Sequence, residues 1–298
     1  MGTYKYLIIY FCVFSIFVSA LEAVIHPFML TIGSVFVLTI NISKSVVKNR
    51  KIAELLVHMT CGCYGFIISL IAIHFIFRYF AIQREGNMKY FRRHYLWFWF
   101  VIPILYGVAW ASTTHIFLEP IDRTTNVLGN YLKLECDIDI ENVVYTGSDY
   151  FTDNTKLDFN FDIFPGMSIL ATIMITSLAI VIYCGFKTSI RIDSLEVEGS
   201  SEYTRKLQIQ LFRALVVQSC IPLFLLYIPV SIFLFLPFFE VEVDNIGHVV
   251  TLFCAIYPVI DPLPTMLIVD SYRIALKNWL CWHKRTNELS IQFHIEIT

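Results

Sequence analysis

Asp261 lies in the run Tyr257-Pro258-Val259-Ile260-Asp261-Pro262-Leu263-Pro264, inside a long apolar stretch. An ionisable group near a bilayer centre costs about 2.5–3.5 kcal/mol on the insertion scale, so such a residue marks function by default. Pro258, Pro262 and Pro264 remove backbone donors and loosen a helix there. A loosened helix suits a switch; the structural alternative is a kink whose freed carbonyls are met by neighbouring helices. Arg78-Tyr79 closes another apolar run, where Arg78 is either a snorkelling anchor or a lock between helices. His74, one turn earlier, reads as a hydrogen-bonded packing residue. Pro222 and Pro229 are expected to bend a third run as a hinge.

Other side chains point to binding rather than catalysis. Ser168, Thr172 and Thr176 recur at i, i+4, i+8 and define one polar helix face, expected to meet other helices or a cavity. Depth and polarity single out Tyr64, Ser168, Tyr227 and Thr251 as ligand-contact candidates. There is no H-E-x-x-H, G-x-S-x-G, Walker loop or G-x-G-x-x-G, so nothing suggests an enzyme. No Cys/His spacing suits a metal, and no cofactor is implied. Intramembrane Asp, Glu and His are too few for the proton relay of a pump.

The eight cysteines form no framework. Cys12, Cys184, Cys220 and Cys254 fall inside apolar runs, where small buried thiols are ordinary. Cys136 alone lies in the long loop, and Cys61 and Cys63 begin a helix on the same side. A Cys61–Cys136 or Cys63–Cys136 disulfide would tie that loop over the bundle. Cys281, between Trp279 and Trp282, is a palmitoylation candidate or an idle thiol.

The elements that must position these groups follow from composition. In 298 residues, 57% are hydrophobic and 15% charged, against roughly 45–50% and 25% in soluble domains. So few charges cannot cover a soluble fold of this size, and the same numbers exclude disorder. A formal net charge of -2 argues against nucleic acid as a partner. The class is an all-α, polytopic transmembrane helix bundle embedded in a lipid bilayer. A bilayer core needs about 20 apolar residues per helix, and six spans qualify, near 7–25, 56–77, 96–117, 164–186, 212–238 and 246–269. The bundle then covers residues 1–272, with a tail at 273–298. Phe28–Ile42, about 15 residues long, is too short for a comfortable span and reads as a re-entrant or surface-hugging segment. Val18-Ser19-Ala20 has the look of a signal cleavage site, but the apolar run before it is long for that and reads as a retained span.

Basic residues set the orientation. One side carries Lys5, Arg78, Arg84, Lys89, Arg92, Arg93, Lys187, Arg191, Arg205, Lys206, Arg273, Lys277, Lys284 and Arg285, and should be cytoplasmic with both termini. The opposite side holds Lys44, Lys48, Arg50, Lys51, Arg123, Lys133 and Lys156, where the Lys44–Lys51 cluster runs against the rule. It also holds residues 119–163, expected as a long outer loop with a solvated acidic face. Asn41-Ile42-Ser43 is a glycosylation sequon on that side.

Taken together, the chain resembles the nematode seven-transmembrane chemoreceptors of the Str superfamily, of the Str/Srj type. The resemblance rests on Gly2-Thr3-Tyr4-Lys5-Tyr6-Leu7, similar to the entry to the family's second helix, and on Ala72-Ile73-His74-Phe75-Ile76-Phe77-Arg78-Tyr79-Phe80, similar to the end of its third. Tyr257-Pro258, Ile260-Asp261-Pro262-Leu263-Pro264-Thr265 and Ser271-Tyr272-Arg273 are similar to its last helix and exit. On this resemblance the six spans correspond to family helices two to seven, with the first helix missing before Tyr4. It implies a G-protein-coupled-receptor-like bundle in the plasma or ciliary membrane, with the C-terminus in the cytosol. A small odorant or tastant would bind between helices, and a heterotrimeric G protein would be the cytoplasmic partner. Arg78, Tyr79, Pro258, Asp261, Pro262 and Pro264 would form the switch. In many other receptors an acid precedes the Arg of the lock; Phe77 stands there. Two readings compete: a channel or transporter, which would need a continuous polar path or repeated halves, and a non-functional truncated receptor remnant.

Overall fold

The computed structural model describes residues 4–82, 91, 95–151, 159–194, 202–239, 246–260, 263–268, 270, 273–275 and 278. Six helical columns alternate in direction. They are α1 (Tyr4–Ile25), α2 (Arg50–Ile82), α3 (Leu96–Phe117), α5 (Phe164–Ser194), a column of α6 (Glu202–Pro222) and α7 (Ile228–Phe235), and a column of α8 (Ile246–Ile260) and α9 (Leu263–Ile268). Five of these columns are long and apolar enough to cross a membrane, and α8 contributes a shorter apolar helix, Ile246–Tyr257. α2 is the axis of the bundle: 78% of its apolar window is buried, against 17%, 28% and 22% for those of α1, α3 and α5. The outward faces of those three carry Ile16, Leu105 and Ile175, as lipid contact requires.

Local chemistry sets the helix ends. α1 stops at His26, whose φ of 49° leaves the helical region, and Pro27 cannot continue the ladder. α2 starts behind Asn49, whose Oδ1 accepts from the amides of Lys51 (3.0 Å) and Ile52 (3.3 Å), a side-chain N-cap. Glycines let α2 and α3 touch along their backbones. A Cβ at Gly62 would lie 2.8 Å from the Gly107 carbonyl, and one at Gly65 would lie 2.8 Å from Trp110 Cβ. Such small-residue contacts are how helices pack tightly in lipid, where no hydrophobic force drives them together.

Phe28–Ile42, expected as a re-entrant or surface-hugging segment, forms a β-hairpin. β1 (Phe28–Ile32) and β2 (Val35–Asn41) pair antiparallel with Ile32 opposite Val35, so Gly33-Ser34 is a two-residue turn. Gly33 has φ 56°, the positive value that the first position of a II′ turn requires. The expected outer loop is also folded. It contains α4 (Asp122–Glu135) and β3 (Val143–Asp149), which pairs with β2 from Asn41 opposite Val143 to Val35 opposite Asp149. α4 turns Thr124, Leu128 and Leu132 inward at helical spacing. The sheet is therefore a middle layer. Val35 and Val37 pack with Leu128 and Leu132 of α4, whereas Phe36, Leu38 and Ile40 face the bundle.

The expectation of a solvated acidic loop fails at Asp149. Its side chain is fully buried; it pairs with Arg123 Nε at 2.8 Å and accepts from Ser34 Oγ (2.6 Å) and the Phe151 amide (3.0 Å). A charge this deep is tolerated because each carboxylate oxygen has a partner. Other bonds fasten the cap to the helices. Thr146 Oγ1 and the Gly147 amide both donate to the Leu118 carbonyl, and Tyr150 Oη donates to Leu234 O at 2.7 Å. Burial pushes the Tyr150 phenol above its ordinary range, so it remains a donor. α8 packs directly on β1: Met29 N donates to Thr251 Oγ1 (2.9 Å), and a Cβ at Gly247 would fall 2.2 Å from the Met29 carbonyl.

Candidate functional site

Beneath the sheet lies a cavity of about 310 Å³, within the size range of small-molecule sites. Met29, Phe36, Leu38, Thr146 and Gly147 roof it; α1, α2, α3, α5, the α6–α7 column and α8 supply its walls. The lining is mostly apolar, with Thr60, Tyr64, Thr114, Thr251 and Tyr257 as scattered polar groups. The arrangement can bind and orient a small, largely apolar molecule. Among the described residues no group of three or more His, Cys, Asp or Glu is placed to hold a metal.

Of the sequence-derived contact candidates, Tyr64 and Thr251 line the cavity. Thr251 is already engaged with β1, and donates in turn to the Gly247 carbonyl at 2.8 Å. The Tyr64 hydroxyl is buried without a hydrogen-bond partner, and its ring meets Trp110 edge-on at 4.7 Å. Tyr227 stands behind the wall instead: it is buried, and its hydroxyl shares a 2.7 Å hydrogen bond with Ser177 of α5.

Ser168 is a correction. It is exposed on the outer face of α5, together with Thr172 and Thr176. Thr172 Oγ1 donates to Ser168 O and Thr176 Oγ1 to Thr172 O, both at 2.7 Å. Back-bonding to the helix's own carbonyls satisfies these hydroxyls, so the stripe needs no neighbouring helix. Among the described residues, the buried polar ones of α5 are instead Ser177, one step from the stripe, and Thr188.

The disulfide expectation also meets a correction. Cys61, Cys63 and Cys136 are free thiols. Cys61 and Cys63 lie within α2 and line the cavity, while Cys136 is exposed at the end of α4. Hydrogen bonds and the Arg123–Asp149 pair hold the cap in their place. Asn41 ends β2, and its Oδ1 accepts from the amides of Ser43 and Lys44 in a tight turn.

At the end of the bundle away from the sheet, Arg78 is buried rather than snorkelling, with 4% of its surface exposed. Tyr79 packs against Phe80 and Tyr183 of α5, with ring centroids 5.4 and 6.4 Å away. His74 is buried with its ring edge-on to Phe11 at 5.6 Å. Asp261 and Pro262 lie outside the described residues, as do Arg84, Lys89, Arg92, Arg93, Cys281 and nearly all of the tail from 273 to 298. On either side of that point, α8, which contains Pro258, is described to Ile260, and α9, in which Pro264 is buried, is described from Leu263. Beyond α9, Asp270 accepts from Gln210 Nε2 of α6 at 2.6 Å and pairs with Arg273.

One cavity residue escapes a reading of periodicity. Glu22, at the sheet end of α1, lines the cavity and, among the described residues, is its one carboxylate, with no Lys or Arg in the lining. The available signal is an acid closing an otherwise apolar run from Leu7 to Ile25.

Lipid-facing columns around a capped, ligand-sized cavity define a polytopic membrane receptor-like bundle. The sequence model of the family described as "Serpentine type 7TM GPCR chemoreceptor Str" matches residues 1–277, and the chain belongs to that family. It is thus a multi-pass membrane protein of a receptor family, not an enzyme. Serpentine receptor class r-10 of Caenorhabditis elegans is 29% identical over 291 residues, covering 96% of this chain and 84% of its own length. G-protein coupled receptor str-217 of the same species is 28% identical over 284 residues, covering 94% and 81% respectively. Serpentine receptor class J-38, also from that nematode, is 23% identical over 297 residues, covering 97% and 86%. No solved structure matches the chain.

Proposed function

We propose that the protein is a chemosensory receptor that takes a small odorant or tastant into the cavity under the sheet and signals to a heterotrimeric G protein at the opposite end. The observation that carries this reading is the cavity itself, which six helical columns and the cap enclose in a member of a chemoreceptor family. A ligand shifts an equilibrium only by its differential affinity for two states. A cavity whose walls come from every column is where such a difference can be felt by the whole bundle.

In this reading the sheet end is extracellular, Asn41 carries the glycan, and the end with Arg78 faces the cytosol. That is the orientation favoured by the basic residues. Arg78, Tyr79 and the proline-rich last column with Pro258, Asp261, Pro262 and Pro264 form the switch. Pro258, Pro262 and Pro264 each remove a backbone donor there, which supports a bend.

The test is ligand-evoked nucleotide exchange in membranes containing the receptor and G proteins. Exchange evoked by a volatile or water-soluble small molecule, and lost in a Thr251→Trp variant that fills the cavity, supports the reading. No exchange across a broad ligand panel, with surface expression proven, overturns it.

A further inference from the structure

We infer that the cavity selects a small organic cation, a protonated amine on an apolar body, and that Glu22 is the residue that recognises it. This rests on the reading of the cavity as the ligand site.

Among the described residues Glu22 is the only carboxylate in the lining, and no Lys or Arg accompanies it. Among the described residues Glu22 makes no side-chain hydrogen bond and no ion pair. His26, one turn on, donates its backbone amide to the Glu22 carbonyl at 2.9 Å, while its own side chain is exposed. A half-buried carboxylate facing an apolar space is costly unless a counter-charge arrives. Asp149 of the cap, by contrast, is engaged by Arg123, Ser34 and the Phe151 amide. Glu22 therefore stands apart as an acceptor without a donor.

A second group points the same way. The Tyr64 hydroxyl, also in the lining, is buried and unpartnered. An ammonium offers several donors and can make a charge-assisted bond to Glu22. The apolar walls, including Leu21, Ile67 and Leu226, suit the hydrocarbon body. A carboxylate ligand would meet Glu22 with like charge, and among the described lining residues only His26 could offset it.

The full-length receptor in lipid nanodiscs is titrated with three probes of matched length, hexylamine, 1-hexanol and hexanoate, with thermal stabilisation as the readout. Hexylamine should bind at least about tenfold more tightly than hexanol, as a charge-assisted bond implies, and hexanoate should bind weakest. Glu22→Gln should bring the amine to the level of the alcohol without changing alcohol binding, and Glu22→Asp should restore part of the preference. Unchanged alcohol binding shows that the variant is folded. Equal binding of amine and alcohol by the unaltered receptor, or an amine preference that survives Glu22→Gln, overturns the cation assignment and leaves the ligand cavity standing. If no probe binds and filling the cavity by Thr251→Trp changes nothing, the cavity reading falls and this one with it.

Discussion

Asp149 and Arg123 form a 2.8 Å ion pair in which the carboxylate is wholly sequestered while the Arg123 side chain keeps 19% of its surface exposed. The pair joins the end of β3 to the first turn of α4, and Ser34 ties the hairpin turn to the same carboxylate. Arg123→Ala leaves an anion buried with only two donors. It should destabilise the cap by about 3 kcal/mol, the usual cost of orphaning a buried charge. Ser34→Ala removes a single hydrogen bond and should cost about 1 kcal/mol. Thermal denaturation of the purified receptor, with limited proteolysis between α4 and β3, would separate the two. Equal, small effects would show that the pair does not hold the cap.

The two positive-φ glycines of the sheet should respond unequally to alanine. At Gly147 (φ 150°) a Cβ would fall 2.1 Å from the Phe36 carbonyl oxygen, so Gly147→Ala must separate β2 from β3. At Gly33 (φ 56°) nothing lies within 4 Å, so Gly33→Ala meets only backbone strain, about 1–2 kcal/mol. Surface delivery and melting temperature of the two variants measure the difference; similar losses would contradict the close strand approach.

Ser177 and Tyr227 share a buried hydrogen bond at 2.7 Å. Ser177→Ala should cost about 1–2 kcal/mol by leaving the Tyr227 hydroxyl unpaired, whereas Tyr227→Phe should cost less, because Ser177 Oγ still donates to the Met174 carbonyl at 3.0 Å. The double variant should cost less than their sum, because it removes the orphaned Tyr227 hydroxyl. A melting series over the four proteins tests this, and strict additivity would deny the coupling.

Thiol chemistry should divide the cysteines by location. Maleimide should label Cys136 rapidly in the folded receptor and reach Cys61 and Cys63 only after denaturation, since Cys136 is exposed and the others face the interior. Cys136→Ser and added reductant should leave the melting temperature unchanged. A non-reducing mobility shift lost in Cys136→Ser would reveal a disulfide.

The crossing helices were legible in sequence because span length and apolarity are fixed by the lipid, not by neighbours. The sheet was not. β2 alternates between two buried faces, one toward α4 and one toward the bundle, so Val35 to Ile40 read as continuous apolar sequence with no period of two. β3 was concealed within an acidic stretch whose one buried acid, Asp149, is chemically identical to its solvated neighbours. Tyr64 and Thr251 could be found from depth alone. Ser168 could not be judged, because periodicity gives the spacing of a polar face but not its heading. Glu22 was overlooked because it closes a span instead of interrupting one.

Between Pro222 and Pro229 the helix opens into a π turn, Leu223–Tyr227. Such turns hold one residue more than the regular helix allows, and each residue of a regular helix advances about 100° around the axis. The two stretches flanking the turn are therefore out of phase by one residue. If the turn tightened, Val230, Phe233 and Leu234 would swing around the column while Ala214 and its neighbours stayed in place. A single slipped rung would re-aim one cavity wall without bending the column at all.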